Sequence, residues 1–313
     1  MPTIPSRYRE PLRKQFPYDI DFYIPGYIKS YPIGRSKTLA LKNIDCGLWF
    51  EEFFNLVIKK INQPSFFPIC RISDGEFIFF LGEQPVDVRT TLTQKIIFFL
   101  SRVKYSFLLK GGLSAFTHGK SGKYHSGLYT KNEWDYAKKN YIIWLKKISI
   151  DGILALHLNY EEVPFAERYY PIFAKFIELN EIEINTNNYY PFYFVYALLT
   201  CKRKKELFQN RRVLVVNGFE EEKKNKVIDA LYHEGVCCVY WEQISSDRSL
   251  FDIVDVLKYK GKIDFILLGA GIGKPNIIYQ LKLLNTLIID AGFIFETWAN
   301  PNSINERPFC KID

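Results

Sequence analysis

Asp264-Phe-Ile-Leu-Leu-Gly269-Ala-Gly271-Ile-Gly273-Lys274-Pro275-Asn-Ile-Ile-Tyr-Gln-Leu281 changes its hydrophobic pattern halfway along. Ile263 to Leu268 is a short, continuous apolar run, the signature of a strand buried on both faces. Glycines then break the run, and Pro275 to Leu284 reads as a helix with proline in its first turn, where a missing N–H costs nothing. Beyond it, Thr286 to Asp290 is a second buried strand. Upstream, the alternation continues through strand Arg212 to Asn217, helix Glu220 to His233, strand Val236 to Trp241 and helix Leu250 to Tyr259. Connections this short, between elements alternating this regularly, are those of parallel crossovers. Residues from about 210 to 300 therefore read as a Rossmann-like half.

The pattern extends toward the N-terminus in a looser form. Gly47 to Lys60 has helical period, Phe66 to Ile72 is strand-like, and Thr91 to Leu109 is a helix followed by a loop from Gly111 to Gly127. Glu133 to Ile148 is a helix, Asp151 to Leu158 a strand, and Phe165 to Leu179 and Phe192 to Leu207 two further helices. The expected architecture is a Rossmann-like layered α/β fold over residues 41–313, with a mostly parallel sheet and helices on both faces. The first 40 residues differ. They hold six of the 15 prolines, which forbid a long helix or a central strand there. They also carry seven basic residues against three acidic ones, half of the chain's net charge of +8. Such a basic arm would either pack across its own domain or touch an anionic inner-membrane face.

Composition narrows the function classes only broadly. With 313 residues and 48% hydrophobic content, the chain can bury a large core. No apolar run reaches the roughly 18 to 20 residues that span a bilayer, and no apolar block of the kind a secretory signal needs stands in the N-terminal arm. Six cysteines without Cys-x-x-Cys spacing fit a reduced cytoplasm, not a zinc site. The positive charge favours anionic partners such as nucleotide diphosphates. The basic residues are spread out and form no recognised nucleic-acid-binding module, so nucleic acid is not expected as a partner.

Two motifs could carry chemistry. Arg71-Ile72-Ser73-Asp74-Gly75-Glu76 lies where a buried strand ends, and ligands of open α/β sheets collect at the carboxyl ends of strands. Asp74 and Glu76, one glycine apart, could share Mg²⁺ or Mn²⁺ and leave positions open for phosphate oxygens. Gly75 would let the backbone come close to that ligand. Asp-Gly-Glu is also an ordinary helix start, with a capping aspartate and an acid in the first turn. The second motif is the turn Gly269-Ala-Gly271-Ile-Gly273-Lys274, whose backbone N–H groups could cradle phosphate, with Lys274 adding a charge. The alternative reading is a tight turn that merely needs glycine. A dinucleotide fingerprint fits poorly, because Lys274 stands where its third glycine would fall. Glu161, Glu162 and Glu167 are candidate acceptor-side bases that could equally just begin a helix, and His157 reads as a core histidine.

These residues resemble a known family. The run ending Arg71-Ile-Ser-Asp-Gly-Glu76 is similar to the Arg-Phe-Gly-Asp-Gly-Glu signature of bacterial GT-D-fold glycosyltransferases. Residues 264–281 followed by Ile289-Asp290-Ala291-Gly292 resemble that family's strand, glycine turn, helix and Asp-x-Gly segment. Asn185-Thr186-Asn187-Asn188-Tyr189 lies where members carry Thr-Arg-Pro-Tyr, and Arg212 to Gly218 resembles the strand that follows. The resemblance implies transfer of a hexose from a nucleotide-diphosphate sugar, typically a UDP sugar with Mn²⁺, to a glycan or glycoprotein acceptor in surface-polysaccharide or glycoprotein assembly. It makes Asp74 and Glu76 the catalytic metal residues. It places Arg71, Gly75, Thr186, Asn217, Gly269, Gly271, Lys274, Asp290 and Gly292 near the nucleotide sugar. Asn187 stands in place of the family's usual Arg, and Phe293 in place of its His. The rivals are a Rossmann-type oxidoreductase or methyltransferase, and a non-catalytic nucleotide-sugar-binding subunit.

Overall fold

A computed structural model of the chain describes residues 14–23, 37–72, 76, 131–158, 176–246 and 249–305. The N-terminal arm contributes two short strands, β1 (Tyr18–Asp21) and β2 (Lys37–Ala40), which pair antiparallel. Prolines keep this ribbon out of the central sheet but do not prevent it from forming. Phe16 packs edge-on against Tyr189 with ring centroids 5.1 Å apart, and Phe22 stacks on Phe194 at 5.9 Å. The Leu39 N–H donates to the Leu158 carbonyl, and the Tyr189 hydroxyl donates to the Leu39 carbonyl. The described part of the arm is thus fastened to its own domain.

The main sheet contains β3 (Phe67–Ile72), β4 (Ile153–Leu156), β5 (Tyr189–Pro191), β6 (Arg212–Asn217), β7 (Cys238–Gln243), β8 (Phe265–Gly269) and β9 (Leu287–Asp290). Their spatial order is β5-β4-β3-β9-β8-β6-β7, and every neighbouring pair is parallel. Central strands β4 and β9 are buried at every residue, as a sheet covered on both faces requires. The cover comes from α1 (Cys46–Asn62), α2 (Lys131–Asp151), α3 (Phe192–Thr200), α4 (Lys204–Phe208), α5 (Glu221–His233), α6 (Lys274–Leu281) and α7 (Ile294–Ala299). Helix α2 packs with α6, where Lys147 lies over the Tyr279 ring and Lys282 pairs with Asp151. Helix α1 packs on α3, and α5 on α7.

Two expected elements turn out differently. Leu250 to Tyr259 is not helical apart from a 3₁₀ turn at Leu257–Tyr259. Its backbone groups find other partners: the Asp252 carbonyl accepts from Asn276 and Gln280, Val254 N–H donates to Gln280, and Asp255 N–H to Glu242. Three β-branched residues, Ile253, Val254 and Val256, add nothing in favour of a helix. The expected helix from Phe192 to Leu207 breaks at Cys201, and Lys204 turns inward to meet Glu234 at 3.1 Å. The helix expected to end at Leu179 is helical over residues 176–179, and the rest of it lies outside the described residues, as do Thr91 to Leu109 and the Gly111 to Gly127 loop. Among the described residues, no helix is long and apolar enough to cross a membrane.

Topology locates the crevice. Strand β6 leads out to β7 at one edge, whereas its neighbour β8 leads to β9 on the other side. Adjacent strands whose chains depart in opposite directions leave an opening outside their carboxyl ends. That opening lies beside Asn217, Gly218 and Gly269, and the carboxyl ends of β9 and β3 continue its wall.

Candidate functional site

The two motifs, nearly 200 residues apart in sequence, meet at this edge of the sheet. Parallel pairing of β3 with β9 sets Ile69 against Ile289, which brings Asp290 beside the last turn of β3. The Asp290 carboxylate accepts from Arg71 N–H at 3.1 Å and from Arg71 Nη2 at 2.8 Å, while the Asp290 carbonyl accepts from Arg71 Nε at 2.7 Å. Lys274, the first residue of α6, reaches into the same space. Its Nζ lies 2.6 Å from Glu76 Oε1, 2.8 Å from Asp290 Oδ2 and 2.5 Å from the Arg71 carbonyl oxygen. The four charged side chains are between 3% and 6% exposed. Two cations and two anions make a buried cluster with no net charge.

The electrostatics of the cluster are mutual. Burial works against the charged form of Asp290, but Arg71 and then Lys274 outweigh it and hold its carboxyl below the usual carboxylate range. Burial would likewise strip the proton from Lys274, and Asp290 and Glu76 overcome this and raise it above the ordinary lysine value. Two neighbours are neutralised instead. Burial pushes the Cys70 thiol up, and burial together with Glu76, Cys70 and Asp290 pushes the Tyr141 phenol well up. A thiol held in that form is not a nucleophile. The five described cysteines are all free.

Aromatic residues of α3 complete the support. The Arg71 guanidinium lies over the Tyr196 ring at 4.5 Å from its centroid and over Phe192 at 4.9 Å. Spacing of four places both rings on one helix face. That spacing was the available sequence signal for this pair. On the other side of Phe192, the His157 ring stacks at 5.7 Å and meets Tyr193 edge-on at 5.0 Å. It is a packed histidine at the end of β4, as its place in an apolar run suggested.

The glycines divide by task. Gly292, with φ +49°, sits so close to Arg71 that a Cβ there would fall 1.5 Å from Nη2. A Cβ on Gly269 would lie 2.3 Å from Asn217 Nδ2 and 2.6 Å from the Phe295 ring. Both glycines are required by close packing of the protein against itself. Gly271, with φ +50°, has nothing within 4 Å of its Cβ position and is exposed, so its bare backbone faces open space where a ligand could approach. Asn217 Oδ1 accepts from Phe219 N–H at 2.9 Å and fixes the loop leaving β6.

The structure thus gathers Arg71, Glu76, Asn217, Gly269, Gly271, Lys274, Asp290 and Gly292 at one edge. It does not bring Thr186 there. Thr186 is exposed in the turn that precedes β5, at the amino ends of the strands, and Asn188 ties that turn to the Ser149 carbonyl at 2.7 Å. Asp74, Gly75, Glu161, Glu162 and Glu167 lie outside the described residues. Lys274 is placed otherwise than as a phosphate ligand, since an ammonium has three donors and three protein acceptors surround this one. Glu76 meets Lys274 from outside β3 and β9. A carboxylate is a hard oxygen donor, so Glu76 is chemically of the type that could serve as a ligand of Mg²⁺ or Mn²⁺. Comparison of the chain with protein-family models, with curated proteins and with solved structures gave no match.

Proposed function

We propose that the chain is a glycosyltransferase of GT-D type that moves a hexose from a nucleotide-diphosphate sugar, a UDP sugar in the first instance, to a glycan or glycoprotein acceptor. The observation that carries this reading is the meeting of Glu76, Lys274 and Asp290 at the carboxyl edge of a parallel sheet, beside the topological switch between β6 and β8. Two of the segments that carry the family resemblance, around Arg71 and Glu76 and around Lys274 and Asp290, come together at this edge, and such an edge is where α/β sheets bind phosphorylated ligands. In this reading Mn²⁺ or Mg²⁺ is held by Asp74 and Glu76, and it supplies charge neutralisation to a departing diphosphate. The chain's own residues do the rest. The open backbone at Gly271, followed by the start of α6, offers N–H groups toward phosphate oxygens. Asn217 holds the loop after β6 in place. Lys274, 2.6 Å from Glu76, holds that carboxylate at the site. The setting we propose is cytoplasmic.

A panel of nucleotide sugars, with and without Mn²⁺, tests the reading on wild type and Asp74→Ala. A donor at about 100 times its Kd raises the melting temperature of wild type by about 5–10 °C in a cation-dependent way. Asp74→Ala abolishes the shift. A wild-type melting temperature indifferent to every nucleotide sugar in the presence of Mn²⁺ ends the proposal. A Mn²⁺-dependent shift without any hydrolysis or transfer of the sugar would favour the non-catalytic binding subunit.

A further inference from the structure

Lys274 Nζ sits between carboxylate oxygens supplied by two different segments, 2.6 Å from Glu76 and 2.8 Å from Asp290, and its third donor is spent on the Arg71 carbonyl. Everything behind it is fixed. Asp290 is clamped by Arg71 through side chain and backbone. Pro275 follows in the first turn of α6, and Gly273 precedes it, packed so tightly on Ser249 that a Cβ would fall 2.4 Å from the Ser249 backbone. The ammonium therefore has one position. Of its three partners, only Glu76 belongs to neither β3 nor β9.

Resting on the glycosyltransferase reading, we propose that Lys274 is a positioning residue for Glu76. Its ammonium fixes the orientation in which that carboxylate meets the cation and donor, and it does not itself bind phosphate. Carboxylates that hold metal ions are commonly oriented by a neighbouring donor, and loss of such a partner weakens metal affinity or activity about 10–100-fold. The geometry also separates lysine from arginine. Three acceptors converge on a single nitrogen, a shape that a point charge satisfies and a planar guanidinium does not.

The test compares Lys274→Met, Lys274→Gln and Lys274→Arg in the full chain, so that a variant that fails to fold does not leave the question open. In transfer or hydrolysis of a UDP sugar, all three variants lower kcat and raise the Mn²⁺ concentration for half-maximal rate by about 10–100-fold. KM for the donor changes by less than about threefold, and arginine does not rescue. Three results overturn the proposal: a raised donor KM at unchanged kcat, restoration by Lys274→Arg, or lowered melting temperatures with unaltered kcat and Mn²⁺ response in the folded enzyme. A measurement independent of activity separates failure of the proposal from failure of the functional reading. Thermal melting of Glu76→Gln, Lys274→Met and the double variant forms a cycle, and the double variant is expected to melt no lower than Lys274→Met alone. Strictly additive shifts would show that the two side chains are not coupled, whatever the enzyme does.

Discussion

Replacing Asp290 with alanine removes the anion on which the whole cluster is built. Arg71 Nη2 and the Arg71 N–H lose their acceptors, and Lys274 keeps only Glu76 and a carbonyl. A buried pair broken by removing one partner costs about 3–5 kcal/mol, because the remaining charge stays buried and uncompensated. At roughly 2–4 °C per kcal/mol for a chain of this size, the melting temperature should fall by about 6–20 °C. Urea denaturation followed by both tryptophan fluorescence and circular dichroism measures the loss directly, and coincident transitions would license a two-state treatment. The internal control is Glu222→Ala, which removes a surface pair with Lys226 whose side chains are 83% and 52% exposed. That change should leave the midpoint within about 1 °C. If Asp290→Ala proved no more harmful than Glu222→Ala, the cluster would not be buried and paired as described, and the reasoning built on it would collapse.

Gly292→Ala forces both a left-handed backbone on alanine and a collision with Arg71, so it should cost at least about 3 kcal/mol, read as a drop in the urea midpoint. Gly271→Ala meets no protein atom and should cost only about 1–2 kcal/mol from its positive φ, while lowering donor affinity in the nucleotide-sugar melting assay. The stability difference between wild type and Asp290→Asn should be flat from about pH 5 to pH 9. Because the Asp290 pKa is depressed in the folded state, its contribution is present above the unfolded carboxylate value near 4 and vanishes as pH falls through the folded value. Lys274, raised in the folded state, contributes below the unfolded lysine value near 10.4 and is lost only as pH climbs through its folded value. A difference that grows toward low pH would contradict this sign. Asn217→Ala removes the acceptor for Phe219 N–H and should cost about 1 kcal/mol in the same denaturation assay.

Most of the C-terminal half was legible because β6, β8 and β9 are short, apolar and bounded by turn residues, whereas the half-buried β7 lies two residues beyond the expected Val236 to Trp241. Strand β6 begins and ends where its pattern does, at Arg212 and Asn217, and β9 starts one residue after the expected position. Legibility failed where side chains substitute for backbone pairing. The region from Leu250 to Tyr259 has nearly helical spacing, yet Gln280, Asn276 and Glu242 answer its backbone groups from elsewhere in the fold. No local pattern announces such partners. Strand β5 escaped for a different reason, since three residues, Tyr189–Pro191, are too few to show a period.

The site was readable as a set of residues but not as a set of roles. The family resemblance placed Arg71, Lys274 and Asp290 near a nucleotide sugar. Sequence gives a residue's place along the sheet edge, whereas its role depends on how many neighbours claim its hydrogen-bonding capacity. Lys274 has three donors and three protein acceptors, and Asp290 has both oxygens committed. With Arg71 and Glu76 they make a cluster of two cations and two anions. In the proposed reading, attraction for a diphosphate comes from the exposed backbone at Gly271 and from a cation held by Asp74 and Glu76. Burial of the cluster has a measurable signature. Because buried charges are screened far less than exposed ones, an ammonium spent within the cluster should add little to the salt dependence of donor binding, and Lys274→Gln should leave that dependence near the wild-type one. A salt dependence that flattened in Lys274→Gln would mean that the ammonium reaches the donor after all.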